Sequence, residues 1–256
     1  MIHLKKLQDN VTLITGGGQG IGYGLAQAFA EAGSHLVITG RTLSKLEKAK
    51  ENLEKEYGVK VLPVVADGSK EENVRNVIAE TIQTFGKLNT VINNAQTSAS
   101  GVALVDHTVE DFDLAIYSGL YATFFYMKHA FPHLKETRGS VINFATGAGL
   151  FGKPGQSSYA AAKEGIRGMS RVAATEWGEF NVRVNVVCPL VMSEGLIKWK
   201  EEYPELYDRT IQSIPMGRLG DPKQDIGRVC VFLASEDADY LTGETLTLQG
   251  GSGLRP

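Results

Sequence analysis

The chain has 256 residues, 43% of them apolar, which suffices to bury the core of one large α/β domain or two small ones. Its 26 basic and 29 acidic residues give a net charge of -3 without a long basic run, so we expect no nucleic-acid partner. The two cysteines lie far apart, and neither a signal-peptide stretch nor a run of about 18 apolar residues occurs. We therefore expect a cytoplasmic protein with no disulfide framework and no membrane partner.

Short β-branched runs alternate with longer amphipathic stretches, which is the pattern of βαβ units and a parallel sheet. Gly58 and Gly86 each lie just before a predicted strand, where a left-handed residue would end the preceding helix. No linker or repeat interrupts the series, so we expect one domain over residues 1–256. The seven predicted strands are 11–15, 35–39, 61–66, 88–93, 140–145, 182–187 and 244–249, and the predicted helices are 20–32, 43–57, 70–85, 109–135 and 157–179.

The first predicted strand ends in the glycine-rich segment TGGGQGIG at 15–22, which leads directly into an apolar helix. Glycines at 16, 20 and 22 allow the backbone to turn sharply and to approach a pyrophosphate, while the helix N-terminus supplies N–H groups and a positive dipole end. A tight turn that needs positive φ would also explain these glycines. The position of the loop, in the first βαβ unit, favours dinucleotide binding.

The end of the second predicted strand, Thr39-Gly40-Arg41, bears on the choice of cofactor. An NAD-specific enzyme usually places a carboxylate there against the ribose 2′-hydroxyl. Arg41 instead offers a guanidinium group that suits a 2′-phosphate, so we expect NADP(H) in preference to NAD(H). The alternative is an exposed arginine at the start of a helix.

Tyr159 and Lys163 lie four residues apart in a helix-favouring segment, so both side chains are expected on one helix face. A lysine ammonium beside a phenol stabilises the phenolate and lowers the tyrosine pKa from about 10, which suits proton transfer near neutral pH. Taken alone, this spacing is common by chance, and a surface pair is the alternative.

Three motifs occur together: TGGGQGIG at 15–22, NNA at 93–95 and YAAAK at 159–163. With them, the chain from about residue 8 to 252 resembles the short-chain dehydrogenase/reductase family. The resemblance implies a doubly wound, Rossmann-like sheet of strand order 3-2-1-4-5-6-7 with helices on both faces. It also implies a nicotinamide cofactor and usually a homotetramer, with a homodimer as the alternative.

The resemblance assigns roles to single residues. Asp67 falls where the family contacts the adenine, and Asn93 where it supports the strand beside the cofactor. Thr146 lies 13 residues before Tyr159, at the position of the active-site serine, and retains a hydroxyl. The candidate catalytic residues are Thr146, Tyr159 and Lys163. The candidate cofactor-binding residues are Gly16, Gly18, Gln19, Gly20, Ile21, Gly22, Arg41, Asp67, Asn93, Ala95, Tyr159, Lys163 and Pro189. No metal site is expected, because His129 and His133 have no visible third ligand.

The sequence also departs from the family pattern near the expected nicotinamide site. The helix position that usually carries an asparagine, which feeds the water chain behind the lysine, falls on Gly119. Gln96 and Leu190 stand where glycines are usual, and their side chains should reshape the pocket. At position 119, either water takes a looser route through the space that glycine leaves, or a neighbouring side chain such as Ser118 substitutes.

We therefore expect an NADP(H)-dependent oxidoreductase that interconverts a small-molecule ketone and a secondary alcohol. A 3-oxoacyl-(acyl-carrier-protein) reductase is one version, although the basic docking positions of that branch fall on Thr137 and Phe180. Enoyl reduction fits less well, because that branch usually separates the tyrosine and lysine by more residues. The alternative function is a cofactor-binding sensor or scaffold with little or no turnover. Residues 190–221 are expected to cap the substrate pocket with apolar side chains that include Leu196, Ile197, Trp199 and Tyr203.

Overall fold

The computed structural model describes residues 5–192 and 200–253. Seven parallel strands form one sheet of order β3-β2-β1-β4-β5-β6-β7, which confirms the predicted doubly wound architecture. Each predicted strand overlaps an observed one. The strands are β1 (Val11–Thr15), β2 (His35–Gly40), β3 (Val61–Val65), β4 (Thr90–Asn93), β5 (Ser140–Phe144), β6 (Arg183–Pro189) and β7 (Thr245–Leu248).

Helices cover both faces of this sheet. Gly58 and Gly86 end two of them in the left-handed conformation, with φ of 69° and 73°, as predicted. Seven helices are labelled here: α1 (Gly20–Glu31), α2 (Leu43–Tyr57), α3 (Glu71–Phe85), α4 (Val109–Ala115), α5 (Ala122–Thr137), α6 (Gly147–Phe151) and α7 (Ser157–Trp177). Two further helices span Pro204–Gln212 and Arg228–Ala234, with π-helical turns at Ile116–Tyr121 and Pro222–Gly227 and 3₁₀ turns at Leu104–Asp106, Gly178–Phe180 and Glu236–Ala238.

The core lies on both sides of the sheet because successive strand residues point to opposite faces. In β1, Ile14 packs into the cluster that contains Phe29 of α1. Its neighbour Leu13 packs into the other cluster, with Ile78 of α3 and Tyr126 of α5. Burial on both faces explains why the strands read as nearly continuous apolar runs rather than as alternating ones.

The long helix predicted at 109–135 is confirmed, and it contains one π-helical turn, because the residues at both junctions keep helical backbone angles. α4 ends at Ala115, the turn Ile116–Tyr121 is π-helical, and α5 begins at Ala122. Gly119 lies in the π-helical turn and is buried. Glycine is a poor helix former, and π-helical turns often occur at functional sites.

The segment 190–221, predicted to cap a substrate pocket, is described at 190–192 and 200–221. Backbone hydrogen bonds from Met192 N to Gly220 O (3.2 Å) and from Gly220 N to Leu190 O (3.0 Å) join its two ends. Leu196, Ile197 and Trp199 lie outside the described residues, so the apolar cap stays a prediction. Within the described ranges, none of the helices is both long enough and apolar enough to cross a bilayer.

Candidate active site

A cleft of about 600 Å³ lies at the carboxyl ends of β1 and β4, where the strand order reverses. This reversal point is where open α/β sheets bind ligands. The glycine loop, the ends of β2 and β3 and the segment after β4 form the walls. Ten of the predicted cofactor-binding residues line the cleft: Gly16, Gly18, Gln19, Gly20, Ile21, Gly22, Arg41, Asp67, Asn93 and Ala95.

Two glycines make the close approach of the loop to α1 possible. Gly16 has φ of +72°, a conformation that side-chain-bearing residues rarely adopt. A Cβ atom at Gly22 would lie 2.1 Å from the carbonyl oxygen of Gly16, so no other residue fits without moving the backbone. The first turn of α1 therefore begins directly against the loop, and its N–H groups are available to an anionic ligand in the cleft.

A short hydrogen-bonded bridge joins the ends of β1 and β4. Thr15 Oγ1 accepts hydrogen bonds from the backbone N–H groups of Asn94 (2.9 Å) and Ala95 (3.0 Å). Asn94 Nδ2 donates in return to the Thr15 carbonyl at 3.0 Å. Sequence reasoning missed both residues as site residues, although Thr15 belongs to the motif at 15–22 and Asn94 to the motif at 93–95.

Asn93 connects the cleft to the interior. Its Nδ2 donates to Asn143 Oδ1 on β5 at 2.8 Å, and Asn143 Nδ2 donates to Ser170 Oγ on α7 at 2.8 Å. The Oδ1 atom of Asn93 is buried and has no hydrogen-bond partner among the described residues. This buried chain ties β4 to β5 and to the helix that carries Tyr159.

Charged side chains line the cleft where β2 and β3 end. Arg41 is exposed, and its Nη2 lies 3.5 Å from Thr97 Oγ1. Lys45, in the first turn of α2, hydrogen-bonds Gln19 and lines the same wall. Sequence reasoning missed Lys45, because its place in the cleft depends on the packing of α2 beside Gln19.

Asp67, after the end of β3, lines the same cleft as these cations. Partial burial works against its ionisation, but hydrogen bonds from the Ser69 hydroxyl and backbone N–H, with the nearby charges of Lys70 and Arg41, lower its pKa. Asp67 Oδ1 accepts from Ser69 Oγ at 2.8 Å and from Ser69 N at 3.0 Å. The carboxylate is thus ionised and held in one orientation.

The three predicted catalytic residues lie beside one another. Tyr159 and Thr146 share a side-chain hydrogen bond, and Thr146 also caps α6 by accepting from Ala148 N at 3.2 Å. Lys163 Nζ lies 5.7 Å from the centre of the Tyr159 ring. It is 3% exposed and donates to the Phe144 carbonyl at 2.7 Å. Pro189 ends β6 beside Leu248, outside the group of residues that lines the cleft.

Burial dominates the proton equilibria of this group. It raises the pKa of Tyr159, against a smaller opposing effect of the Thr146 hydrogen bond. It lowers the pKa of Lys163 to about 8. The net pKa of Tyr159 is thus raised in this structure, where Lys163 Nζ is directed to the Phe144 carbonyl, and the lowering of the tyrosine pKa by Lys163 stays a prediction.

The water route expected past position 119 stays a prediction, and the side chains around this position are described. The space that glycine leaves is filled by the Gln96 side chain, whose Cδ would lie 2.6 Å from a Cβ atom at 119. Ser118 does not substitute for an asparagine, because its Oγ is engaged with the Thr97 carbonyl (2.7 Å) and the Leu114 carbonyl (2.6 Å).

His129, considered above as a metal ligand, lies 2.8 Å from Glu71 Oε1 and joins α5 to α3. Within residues 5–192 and 200–253, no group of three or more His, Cys, Asp or Glu side chains could hold a metal ion.

The sequence profile described as enoyl-(acyl carrier protein) reductase matches residues 16–252. The chain belongs to the short-chain dehydrogenase/reductase family. This family member is 58% identical over 252 residues to a 12α-hydroxysteroid dehydrogenase of Clostridium sp. (strain ATCC 29733 / VPI C48-50), which covers 96% of this chain and 97% of the relative. The short-chain dehydrogenase is therefore an oxidoreductase of alcohol or carbonyl carbons that binds a nicotinamide cofactor.

Two more distant relatives show how widely the family is spread. A 3-oxoacyl-(acyl-carrier-protein) reductase of Thermotoga maritima is 33% identical over 251 residues, with 96% of this chain and 98% of the relative covered. The crystal structure of NAD+-bound xylitol dehydrogenase matches with a TM-score of 0.90 at 28% identity, covering 96% of this chain and 100% of that one.

The buried Lys163 leads to a prediction about stability. Its pKa falls from 10.5 in the unfolded chain to about 8, so the unfolded state binds more protons between these pH values and stability rises with pH across this window. Below pH 8 the full penalty is present, about 3 kcal/mol. Lys163→Met should remove it but lose a hydrogen bond of about 1 kcal/mol. We expect a net gain of about 2 kcal/mol at pH 7 and almost none at pH 10.

Urea denaturation of both proteins at the two pH values measures this difference. Lys48→Met, at an exposed position of α2, is the matched control and should change the free energy of unfolding by less than about 0.5 kcal/mol. A loss of stability in Lys163→Met at pH 7 would show that the hydrogen bond to Phe144 outweighs the burial of the charge.

Proposed function

We propose that this protein is an NADP(H)-dependent hydroxysteroid dehydrogenase that interconverts a secondary alcohol and a ketone on a steroid. The observation that carries the proposal is the 58% identity to a 12α-hydroxysteroid dehydrogenase along nearly the whole length of both chains. The 3-oxoacyl-(acyl-carrier-protein) reductase, an alternative that the motifs left open, is 33% identical. A steroid with a 12α-hydroxyl group is therefore the first substrate to test.

The residues of the cleft fit a nicotinamide dinucleotide. The loop holds a glycine at position 22, where a Cβ atom would collide with the Gly16 carbonyl, and the first turn of α1 adjoins it. Arg41 and Lys45 supply positive charge at the end of the cleft beside Asp67. When bound, the cofactor supplies or accepts the hydride.

The catalytic residues move and hold the proton. During reduction, Tyr159 donates its phenolic proton to the carbonyl oxygen, and during oxidation the phenolate takes a proton from the alcohol. The phenol is protonated at neutral pH and can act as the acid, and burial raises its pKa further. Thr146, hydrogen-bonded to the phenol, is placed to hold the same substrate oxygen. Lys163 is a cation below its pKa of about 8, and its charge stabilises the phenolate that remains after proton transfer.

The choice of NADP(H) rests on charge at the end of β2. No carboxylate is present at Thr39-Gly40-Arg41, and the two cations Arg41 and Lys45 line one wall. A guanidinium group binds a phosphate through two parallel hydrogen bonds. A ribose hydroxyl carries no charge, so its attraction to the guanidinium group does not offset the desolvation of that group. Lys45 would add a second cation to the same phosphate.

We predict that NADP(H) binds at least tenfold more tightly than NAD(H), which requires about 1.4 kcal/mol. Arg41→Ala should remove most of this preference, and Lys45→Ala part of it, while both leave NAD(H) affinity within about twofold, because only the 2′-phosphate loses contacts. Fluorescence titration of both cofactors measures the preference, with Lys48→Ala on the same helix as the control. Equal affinities in the parent, or a preference unchanged in Arg41→Ala, would contradict the assignment.

We predict that the protein oxidises a 12α-hydroxysteroid with NADP+ and reduces the matching 12-oxosteroid with NADPH. Tyr159→Phe keeps the ring but loses the proton, so kcat should fall by about 10²-fold or more while cofactor affinity stays nearly intact. Lys163→Ala should reduce both kcat and the affinity for the cofactor. The assay panel adds steroids hydroxylated elsewhere, a sugar, a 3-oxoacyl thioester and an enoyl thioester.

The outcomes of this panel separate the parts of the proposal. Turnover of a thioester alone would keep the redox chemistry and reject the steroid. Cofactor binding without turnover of any compound would favour a binding protein over an enzyme. A Tyr159→Phe variant that keeps most of its kcat would reject the acid/base role.

We also propose that the chain assembles into a homotetramer, or failing that a homodimer, through an aromatic patch formed by Tyr117, Tyr121 and Phe124. These side chains are 48%, 42% and 40% exposed, and the two tyrosine rings stack with centroids 4.9 Å apart. Exposed aromatic clusters of this kind mark interaction surfaces. Tyr126, which follows them in the sequence, is instead buried in the subunit core.

We predict that Tyr121→Glu shifts the assembly toward monomers, because a charge at the centre of the patch would be desolvated on association. Sedimentation velocity at micromolar concentration measures the change. Leu43→Glu, at an exposed apolar residue of α2 outside the patch, is the control and should leave the mass unchanged. A parent protein that sediments as a monomer, or a Tyr121→Glu variant with the parent's mass, would reject the patch as an interface.

A further inference from the structure

The side chain of Gln96 occupies the space that a side chain at position 119 would need. A Cβ atom built on Gly119 would lie 2.6 Å from Cδ, 2.8 Å from Nε2 and 2.9 Å from Oε1 of Gln96. Such distances are too short for non-bonded atoms, so the Gln96 amide, which is the end of a flexible side chain, would have to move if residue 119 carried a Cβ atom. Gln96 in its present position therefore requires glycine at 119.

The Gln96 amide reaches the point where the helix changes its hydrogen-bonding pattern. Nε2 donates to the carbonyl of Ala115, the last residue of α4, at 3.4 Å. The adjoining residues reinforce this contact, because Thr97 N donates to Ser118 Oγ at 3.1 Å and Ser118 Oγ donates to the Thr97 carbonyl at 2.7 Å. The segment after β4 is thus clamped to the π-helical turn.

This clamp adjoins both the cleft and the catalytic helix. Gln96, Thr97 and Ser118 line the cleft. On its other side, the π-helical turn packs against α7 so closely that a Cβ atom at Gly165 would lie 2.9 Å from Leu120 Cδ2. A change in the clamp would therefore shift the contact between Leu120 and α7 at Gly165, which lies two residues from Lys163.

Two buried acceptors on this wall have no partner among the described residues: Gln96 Oε1 and Asn93 Oδ1. An unpaired buried acceptor costs about 1–3 kcal/mol, and such atoms normally bind ordered water or a ligand. Lys163 is almost completely buried, so a proton that reaches the half-buried Tyr159 by way of Lys163 must pass through internal polar groups. Acceptors on the cleft wall can hold water for that purpose.

We propose that Gln96 and Gly119 form a compensating pair in which Gln96 is a positioning residue for proton return to Tyr159 and Lys163. The amide expected from helix position 119 comes instead from position 96, across the same space. Its Nε2 is hydrogen-bonded at the start of the π-helical turn, and its buried Oε1 is the acceptor for an internal water. The inference rests on the proposed function, because it concerns proton transfer during turnover.

A swap of the two residues tests the pair. Gln96→Met keeps the volume and loses the amide, so kcat should fall about tenfold and the solvent deuterium isotope effect on kcat should rise, with NADP(H) affinity within about threefold of the parent. Gly119→Asn alone should lower both the melting temperature and kcat, because its side chain collides with Gln96. In Gln96→Gly/Gly119→Asn, an amide returns from the helix side, so kcat, isotope effect and melting temperature should recover to near the parent's values.

Two results would overturn the proposal. If Gln96→Met keeps the parent's kcat and isotope effect, the amide has no part in proton return. If the double variant shows only the sum of the melting-temperature shifts and the product of the kcat effects of Gln96→Gly and Gly119→Asn measured singly, the two positions do not compensate. The melting-temperature cycle needs no substrate, so it tests the pair even if no steroid is turned over, an outcome that would count against the proposed function alone.

Discussion

The bridge between Thr15 and Asn94 holds together the two halves of the cleft. At the reversal of strand order, the chain leaves β1 and β4 toward opposite faces of the sheet, so the strand ends separate beyond their last paired residues. The Thr15 hydroxyl accepts two backbone N–H groups across this gap. Because Gly16 follows directly and turns with positive φ, the bridge fixes the glycine loop relative to the segment that carries Gln96.

The site concentrates buried polar groups where an apolar interior would be more stable. Asn93, Asn143 and Ser170 form a hydrogen-bonded chain through the sheet. Lys163 is nearly inaccessible, and its lowered pKa shows that its charge is held at a cost in stability. Such costs are typical of sites that hold a reactive geometry in place, and here they fall on the helix that carries Tyr159.

Much of this arrangement follows from local sequence. Runs of β-branched residues indicate the strands. Gly58 and Gly86 end helices because glycine readily adopts the left-handed backbone conformation. The glycine loop was recognisable because its spacing and its place after β1 are both local features. The cleft residues named from these motifs line one cavity.

What the sequence could not predict depends on contacts between distant residues. The π-helical turn at Ile116–Tyr121 accompanies the packing of Gln96 against Gly119, which no periodicity in either segment reveals. The direction of the pKa shift of Tyr159 depends on its burial, and the spacing to Lys163 carries no information about burial. Lys45 became visible as a cleft residue only when α2 was placed beside Gln19.

The most direct test of the account is a crystal structure of the protein with NADP+. We expect the pyrophosphate against the backbone N–H groups at the start of α1 and the 2′-phosphate within hydrogen-bonding distance of the Arg41 guanidinium. The nicotinamide ring should lie on the side of the cleft nearest Tyr159. A dinucleotide bound in the reverse direction, with its adenine beside Tyr159, or bound outside the cleft, would contradict the assignment of this site.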